Sequence, residues 1–446
     1  MPNQKEQINQ ILKDQLQIAT GGETINYRES WRIFRIMSEF VEGYQFLSAL
    51  KREVTILGSA RLPTNSKYHQ IAEQLGRLLG KNGFTVITGG GPGIMEAVSK
   101  GAYEVGGESV GLNIQLPQEQ RVNPYVGKSI GFYYFFTRKV MLTSPANAFV
   151  FFPGGFGTLD EFFEVVDSME LGHMAKAPIV LVGKEFWSPL LSFLKNKSAA
   201  EVHSVLDYDL ENWKVVDNAE SAFEHIKDVT DRENYCGQGA DDLYCQGGQN
   251  WRIFRIMAEL VEGFEFLTKV GDNVTVLGTK SVLPGSSYYQ AAYEVGKILA
   301  QNKIATMTGG GPDTMEAANR GAFEAGGESI GINMRFEKGE RRNNYLTKSL
   351  GFFFPFVRKL IITSPSKFFI FFPGGFGTLH QLLEMLTLVE TKKINPMPIL
   401  LYGEDFWQPF LHFVHQLHTD FKTISLGDEQ LIRVINRPEE IKEYLK

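Results

Sequence analysis

The chain has only two cysteines, Cys236 and Cys245, in 446 residues. No disulfide framework can hold it together, and a reducing, cytoplasmic setting is expected. The spacing of the pair fits no standard zinc pattern and no histidine lies between them, so no metal is expected. No apolar run approaches the ~18 residues of a membrane span, and Met1 to Gln10 is polar with no apolar signal core. A membrane partner is therefore not expected. Positive charge is not in excess: the net charge is −6 and no basic block stands out, which argues against a nucleic-acid partner. The apolar share of 43% and the charged share of 22% are ordinary for a globular protein. The length suggests two to three domains, each able to bury a full core.

What the chain does have is a long internal repeat. Trp31-Arg-Ile-Phe-Arg-Ile-Met37 returns letter for letter at Trp251 to Met257, an offset of 220 that also relates Gly58 to Gly278, Gly89 to Gly309, Arg138 to Arg358, Pro153 to Pro373 and Trp187 to Trp407. Near the ends the offset slips to 219, where Val215-Val216-Asp217 pairs with Val434-Ile435-Asn436. A gapless register over such a distance means two copies of one domain rather than a solenoid. The expected organisation is an N-terminal extension over 1–30, copy one over 31–230, a glycine-rich linker over 231–250 that carries both cysteines, and copy two over 251–446.

Within copy one, strand and helix patterns alternate. Val54 to Leu57, Phe84 to Ile87, Ser109 to Asn113, Ala148 to Phe152 and Ile179 to Val182 read as buried strands, with helical spacing over Tyr68 to Leu79, Ile94 to Val105 and Leu159 to Leu171. Continuous apolar strands in a βαβα rhythm indicate an α/β chain of two tandem, doubly wound parallel-sheet (Rossmann-like) domains. Ligands in such domains sit at the carboxyl ends of the strands. Trp31 to Leu47 carries too many apolar residues for one face, so a helix buried nearly all round is expected there, either against another domain or chain or as an ordinary core helix.

Two glycine-rich turns follow strands and open helices: Gly89-Gly90-Gly91-Pro92-Gly93 before Ile94, and Pro153-Gly154-Gly155-Phe156-Gly157-Thr158 before Leu159. Backbone N–H groups left unpaired at such a turn, with the positive end of the helix dipole, form a site for phosphate. Glycine keeps the approach open. Glu161, one turn into the second helix, is placed to reach the sugar of a nucleotide held by the loop. The plain alternative is a glutamate that merely satisfies the helix dipole, just as Arg138 alone would read as a surface ion pair. Glu164, one turn further on, reads as structural.

With both loops in one domain, the chain closely resembles the Lonely Guy (LOG) family of phosphoribohydrolases, whose members often carry a misleading lysine decarboxylase label. The marks are Gly89 to Met95, Arg138-Lys139, and Pro153 to Glu161, within a resemblance that runs from about Val54 to Trp187 and recurs in copy two. The resemblance implies hydrolysis of a nucleoside 5′-monophosphate to free base and ribose 5-phosphate, with no cofactor. It assigns Arg138 and Glu161 to catalysis. It assigns Ser59, Gly89, Gly90, Gly91, Met95, Gly154, Gly155, Gly157 and Thr158 to the nucleotide. Pyridoxal-phosphate chemistry is disfavoured, because no lysine has a recognisable Schiff-base context.

Copy two departs where chemistry is decided. Gly93 becomes Asp313 and Asp160-Glu161 becomes His380-Gln381, while Arg358, Gly374, Gly375, Gly377 and Thr378 remain as a degenerate second site. A glutamine cannot ionise, Asp313 is expected to oppose a phosphate, and His380 reads as a solvated helix residue. Two functions follow: an enzyme whose copy two acts as an intramolecular pseudo-partner, with further homo-oligomers open, or a nucleotide carrier or sensor that uses the same loops without turnover.

Overall fold

The computed structural model describes residues 27–115, 122–206, 210, 212–230, 248–335 and 342–445. Cys236, Cys245 and most of the expected linker lie outside the described residues. Copy one runs α1 (Tyr27–Leu47), β1 (Glu53–Leu57), α2 (Lys67–Lys81), β2 (Thr85–Thr88), α3 (Ile94–Glu104), β3 (Ser109–Ile114), β4 (Lys128–Phe132), α4 (Phe135–Thr143), β5 (Ala148–Phe151), α5 (Phe156–Glu170), β6 (Ile179–Val182), α6 (Lys184–Phe193), β7 (Trp213–Val216) and α7 (Ala219–Glu224). Copy two repeats this as α8 (Gly248–Leu267), β8 (Asn273–Leu277), α9 (Ser287–Gln301), β9 (Ala305–Thr308), α10 (Thr314–Glu324), β10 (Ser329–Met334), β11 (Lys348–Phe352), α11 (Pro355–Thr363), β12 (Ser366–Phe371), α12 (Phe376–Glu390), β13 (Ile399–Tyr402), α13 (Glu404–Thr419), α14 (Leu426–Glu429) and β14 (Ile432–Ile435). No described helix is long and apolar enough to cross a membrane.

Each copy builds one seven-stranded parallel sheet, in the order β4-β3-β2-β1-β5-β6-β7 and β11-β10-β9-β8-β12-β13-β14. The chain winds one way from β1 and the other way from β5, so the loops after these two neighbours part and leave a crevice. Their register ends level, with Leu57 opposite Phe151. The loops that follow are tied at once by the Ser59 N–H, which donates to the Pro153 carbonyl at 3.0 Å.

Period-two alternation sorts each strand between two cores. Val54, Ile56, Ala148, Val150, Val180 and Val182 face α2 and α3 in a cluster confined to copy one. Leu57, Phe149, Phe151, Ile179 and Leu181 face the other way, into a cluster that continues without a break into copy two. The inner core of the domain and the contact between copies are therefore one apolar body. Phe186 meets Phe421 at 4.9 Å between ring centroids, Phe193 meets Phe406 at 5.4 Å and Trp213 meets Phe376 at 5.7 Å, each pair joining the two copies. Burying each such ring is worth roughly 1.5–3 kcal/mol.

The expectation of an all-round buried helix at Trp31 to Leu47 is corrected. Ile36, Phe40, Tyr44 and Leu47 form one buried face, while Phe34 is 58% and Val41 is 47% exposed. The helix does meet copy two, since the Phe40 ring lies 5.9 Å from that of Phe356, but it does so along a single stripe.

Helices α5 and α12 pack side by side across the contact, and a charged cluster is enclosed between them. Lys139 Nζ lies 3.3 Å from Asp160, 3.5 Å from Glu164 and 3.0 Å from Glu384 of copy two. Lys359 of copy two reaches Asp167 of copy one at 2.6 Å and also contacts Nδ1 of His380. His380 Nε2 stands 3.4 Å from Asp160. The solvated position expected for His380 is thus wrong: it is 1% exposed, because the helix face that carries it is covered by α5. Burial works against a charged Lys139, yet Asp160, Glu164 and Glu384 hold its pKa well above that of an ordinary lysine. Replacing Lys139 by methionine should strand these carboxylates and cost about 3–5 kcal/mol in urea unfolding of the full chain. A loss below about 1 kcal/mol would mean that the cluster does not hold the copies together.

Candidate active site

The site stands on the carboxyl-end crest of β1, β2, β3 and β5. Helix α4 places Arg138 and Lys139 on different sides, as successive helical residues must be, so Lys139 enters the contact between copies while Arg138 enters the crevice. Its Nε donates to the Leu112 carbonyl at the end of β3, at 2.9 Å. Its Nη2 stands 3.3 Å from Glu161 Oε1. Both side chains are about nine-tenths buried. The two residues assigned to catalysis by resemblance, 23 positions apart in sequence, are brought together.

Burial pushes the Glu161 carboxyl up to about 7, against the pull of Arg138, while Asp160 and Glu164 push in the same direction as burial. Asp160, its neighbour, goes the other way. Burial alone would raise it, but the adjacent Lys139 holds it below the usual carboxylate range. Two consecutive carboxylates thus differ in protonation because one faces the lysine and the other faces a lone arginine and the crevice.

The glycines serve several ends. A Cβ on Gly89 would come within 2.7 Å of Arg138 Nη2 and 2.9 Å of Met95 Sδ, so Gly89 makes room for the guanidinium. Gly90 has φ +70°, a left-handed turn that glycine permits. Gly90 and Gly91 are held by Asn123, whose Nδ2 donates to their carbonyls at 3.2 and 3.0 Å. Ser59 braces the loops: its carbonyl accepts from the Ile94 N–H at 3.1 Å and its Oγ from the Arg61 N–H at 3.0 Å. Gly154 gives way to the side chain of Thr158, and Gly157 touches only Thr387 of copy two, at 3.7 Å from an added Cβ. A Cβ on Gly155 would press on the Thr423 carbonyl at 2.8 Å. The second loop is therefore shaped as much by copy two as by any ligand. The helix opens at Phe156, three residues before the Leu159 expected from sequence.

Four contributors carry no motif and were missed. Glu39 of α1 accepts from the N–H groups of Tyr133 and Tyr134, at 2.8 and 3.3 Å, and from Thr137 Oγ1 at 2.5 Å, so a buried carboxylate caps the helix that carries Arg138. Asn123 pins the first loop. Asn113, beside Gly90, has both amide atoms buried without a partner among the described residues, as a ligand contact would leave them. Lys393 of copy two donates to the carbonyls of Gln115 and Tyr133 at 2.8 and 3.1 Å, and burial pulls its pKa down to about 8. Only the repeat itself hinted at any of them, since Glu259, Asn343 and Asn333 stand at the matching places in copy two.

Set beside known proteins, the family described as "Possible lysine decarboxylase" matches residues 95–226 and again 315–445. These matches span more than half of the chain, which belongs to that family, the LOG family, as a tandem repeat. A cytokinin riboside 5′-monophosphate phosphoribohydrolase from Rhodococcoides fascians is 29% identical over 151 residues, 32% of this chain and 75% of that protein. The phosphoribohydrolase LOG of Oryza sativa subsp. japonica is 32% identical over 151 residues, 33% of this chain and 61% of that protein. Among solved structures, the molybdenum cofactor carrier protein MCP of Chlamydomonas reinhardtii superposes on 40% of this chain and 98% of its own, at 22% identity and a TM-score of 0.32.

Replacing Glu39 by alanine should leave the buried N–H groups of Tyr133 and Tyr134 unpaired, at a cost of about 1–3 kcal/mol in unfolding free energy. With Arg138 no longer held in place, nucleotide affinity should fall as well. A variant that keeps both stability and affinity would show that this cap does not position Arg138.

Proposed function

We propose that copy one hydrolyses the N-glycosidic bond of a nucleoside 5′-monophosphate, of the AMP or cytokinin riboside monophosphate type, to free base and ribose 5-phosphate. The observation that carries this reading is the buried Arg138–Glu161 pair at the mouth of two glycine turns, with the carboxyl poised near neutrality. The names of the relatives support the reaction class.

The helix N-terminus at Gly155 to Thr158 and the guanidinium of Arg138 receive the phosphate and orient the sugar. As the bond from C1′ to the base nitrogen lengthens, positive charge grows on the ribose, as in glycoside cleavage. Ionised Glu161 stabilises that charge and takes a proton from the attacking water. The water oxygen becomes bonded to C1′, and the bond electrons leave with the base, whose nitrogen takes up a proton from solvent to give the free base. A base whose pKa sits close to the working pH is well matched to this task. Asn113, unsatisfied beside Gly90, adds a donor and an acceptor for the nucleotide.

Glu161→Gln should lower base release by ~10²–10⁴ while nucleotide affinity is kept or rises, since the amide keeps the shape and no longer pairs with Arg138. Comparable turnover in the variant would remove Glu161 from the mechanism. In the wild type, Glu161 must lose its proton to act. The kcat/KM for base release should therefore rise about tenfold per pH unit below 7 and level off above it. A profile that is flat between pH 5 and 8 would contradict the assignment.

A further inference from the structure

In copy two the same place holds an arginine with no ion pair among the described residues. Arg358 Nε donates to the Ile332 carbonyl at 2.7 Å, as Arg138 does to Leu112, and its Nη2 lies against Gly309. Gln381 stands where Glu161 would pair with it, and no ion pair to Arg358 forms among the described residues. Burial pulls the guanidinium down to about 10 against the attraction of Asp167 of copy one, which forms its ion pair with Lys359 instead, so the enclosed charge is held at a cost.

Gln381 Nε2, Asn333 Oδ1 and Thr314 Oγ1 are buried with no hydrogen-bond partner among the described residues, while Asn333 Nδ2 donates to the Gly310 carbonyl at 3.4 Å. Their residues are 6%, 1% and 0% exposed. Asn333 lies against Gly310, Thr314 begins the helix that this turn opens and packs on Gly278, and Gln381 stands at the position that matches Glu161. Buried polar atoms are seldom left unsatisfied: the guanidinium of Arg358 has no ion pair and Gln381 Nε2 no acceptor among the described residues, while Asn333 Oδ1 beside Gly310 lacks a donor, a set that a phosphate ester carrying a hydroxyl would satisfy.

Asp313 does not fill this role. It holds φ +62°, where Gly93 holds +68°, so its Cβ leaves the backbone in the direction in which a Cβ on Gly93 would meet Ser59 and Ala60. The bond from the Ile94 N–H to the Ser59 carbonyl at 3.1 Å in copy one has no counterpart from Thr314 to Thr279 among the described residues. The Asp313 side chain is thus directed at the Thr279-Lys280 loop and forms no ion pair with Arg358 among the described residues, and burial together with Glu316 raises its pKa.

We propose that copy two is a binding-only site for a phosphate monoester, whose phosphate pairs with Arg358 at the Gly374–Thr378 helix N-terminus and is not cleaved because Gln381 cannot ionise. The inference takes from the proposed function only the phosphate of the ligand, and it stands whether or not copy one turns substrate over.

The test is calorimetric titration of AMP, and separately of inorganic phosphate, into full-length Arg138→Ala protein, which keeps only the arginine of copy two. One AMP site per chain is expected. Adding Gln381→Glu, a change of one atom that gives Arg358 its own carboxylate, should weaken that site by roughly tenfold or more. Absence of AMP binding in Arg138→Ala, or unchanged affinity on adding Gln381→Glu, overturns the proposal. Should Arg138→Ala not fold, Glu161→Gln takes its place: two AMP sites are expected, and one should weaken when Gln381→Glu is added. A single site that is indifferent to Gln381→Glu would again refute it. Base release by the wild type, measured separately, reports on copy one alone.

Discussion

Helices α5 and α12 lie against each other, and both the fold and the chemistry hang on that contact. Each begins at a glycine loop and turns one side to the other copy, and α5 turns the next residue, Glu161, round to Arg138. On α5 the first side carries Asp160, Glu164 and Asp167 into the charged cluster with Lys139, Lys359, Glu384 and His380. Glu161 escapes that cluster by a single step along the helix. The contact thereby fixes the depth and orientation of Glu161, and it removes the water that would otherwise hold its pKa low.

The contact is also unsymmetrical, and the asymmetry has an electrostatic sense. Two identical copies of α5 face to face would bring Asp160, Glu164 and Asp167 together twice, against Lys139 twice, a buried excess of negative charge. Copy two carries His380 where copy one has Asp160, and Thr387 where it has Asp167. The mixed pair therefore has fewer acids to compensate, and Lys359, deprived of its own aspartate, takes Asp167 from across the contact. Pairing of copy one with copy two is thereby favoured over pairing of two copies of copy one. The exchange of Glu161 for Gln381 lies beside the exchange of Asp160 for His380, so loss of the carboxylate and specialisation of the contact occupy adjacent residues.

Much of this was legible in the sequence for physical reasons. Parallel strands buried on both faces read as continuous apolar runs, which is why Val54 to Leu57 and Ala148 to Phe152 stood out, and glycine turns punctuate the chain where strands end. Edge strands were not legible: β4 alternates weakly, with Lys128, Ser129 and Gly131 at its open side, and β7 is only four residues long. Helix α4 was missed because its apolar residues, Phe135, Phe136, Val140, Met141 and Leu142, crowd together without a clear face. The surroundings of Glu161 and Arg138 were anticipated only through the motifs that contain them. Glu39, Asn113, Asn123 and Lys393 act through contacts 23 to more than 250 positions away in the chain, and nothing local marks them. His380 was misread for the same reason, since its burial depends on a neighbour that sequence spacing does not reveal.

The central claim is that the Arg138–Glu161 site cleaves rather than merely holds a nucleotide. It is tested most directly by incubating the intact wild-type protein with a panel of nucleoside 5′-monophosphates, AMP and a cytokinin riboside monophosphate included, and resolving the products by chromatography. Free base and ribose 5-phosphate should appear in equal amounts from at least one of them, while the corresponding nucleosides, which lack the phosphate that the proposal assigns to Arg138 and the helix N-terminus, should remain intact. Unchanged nucleotide recovered in full from every incubation, with binding demonstrated in the same samples, would contradict the account and leave copy one a carrier.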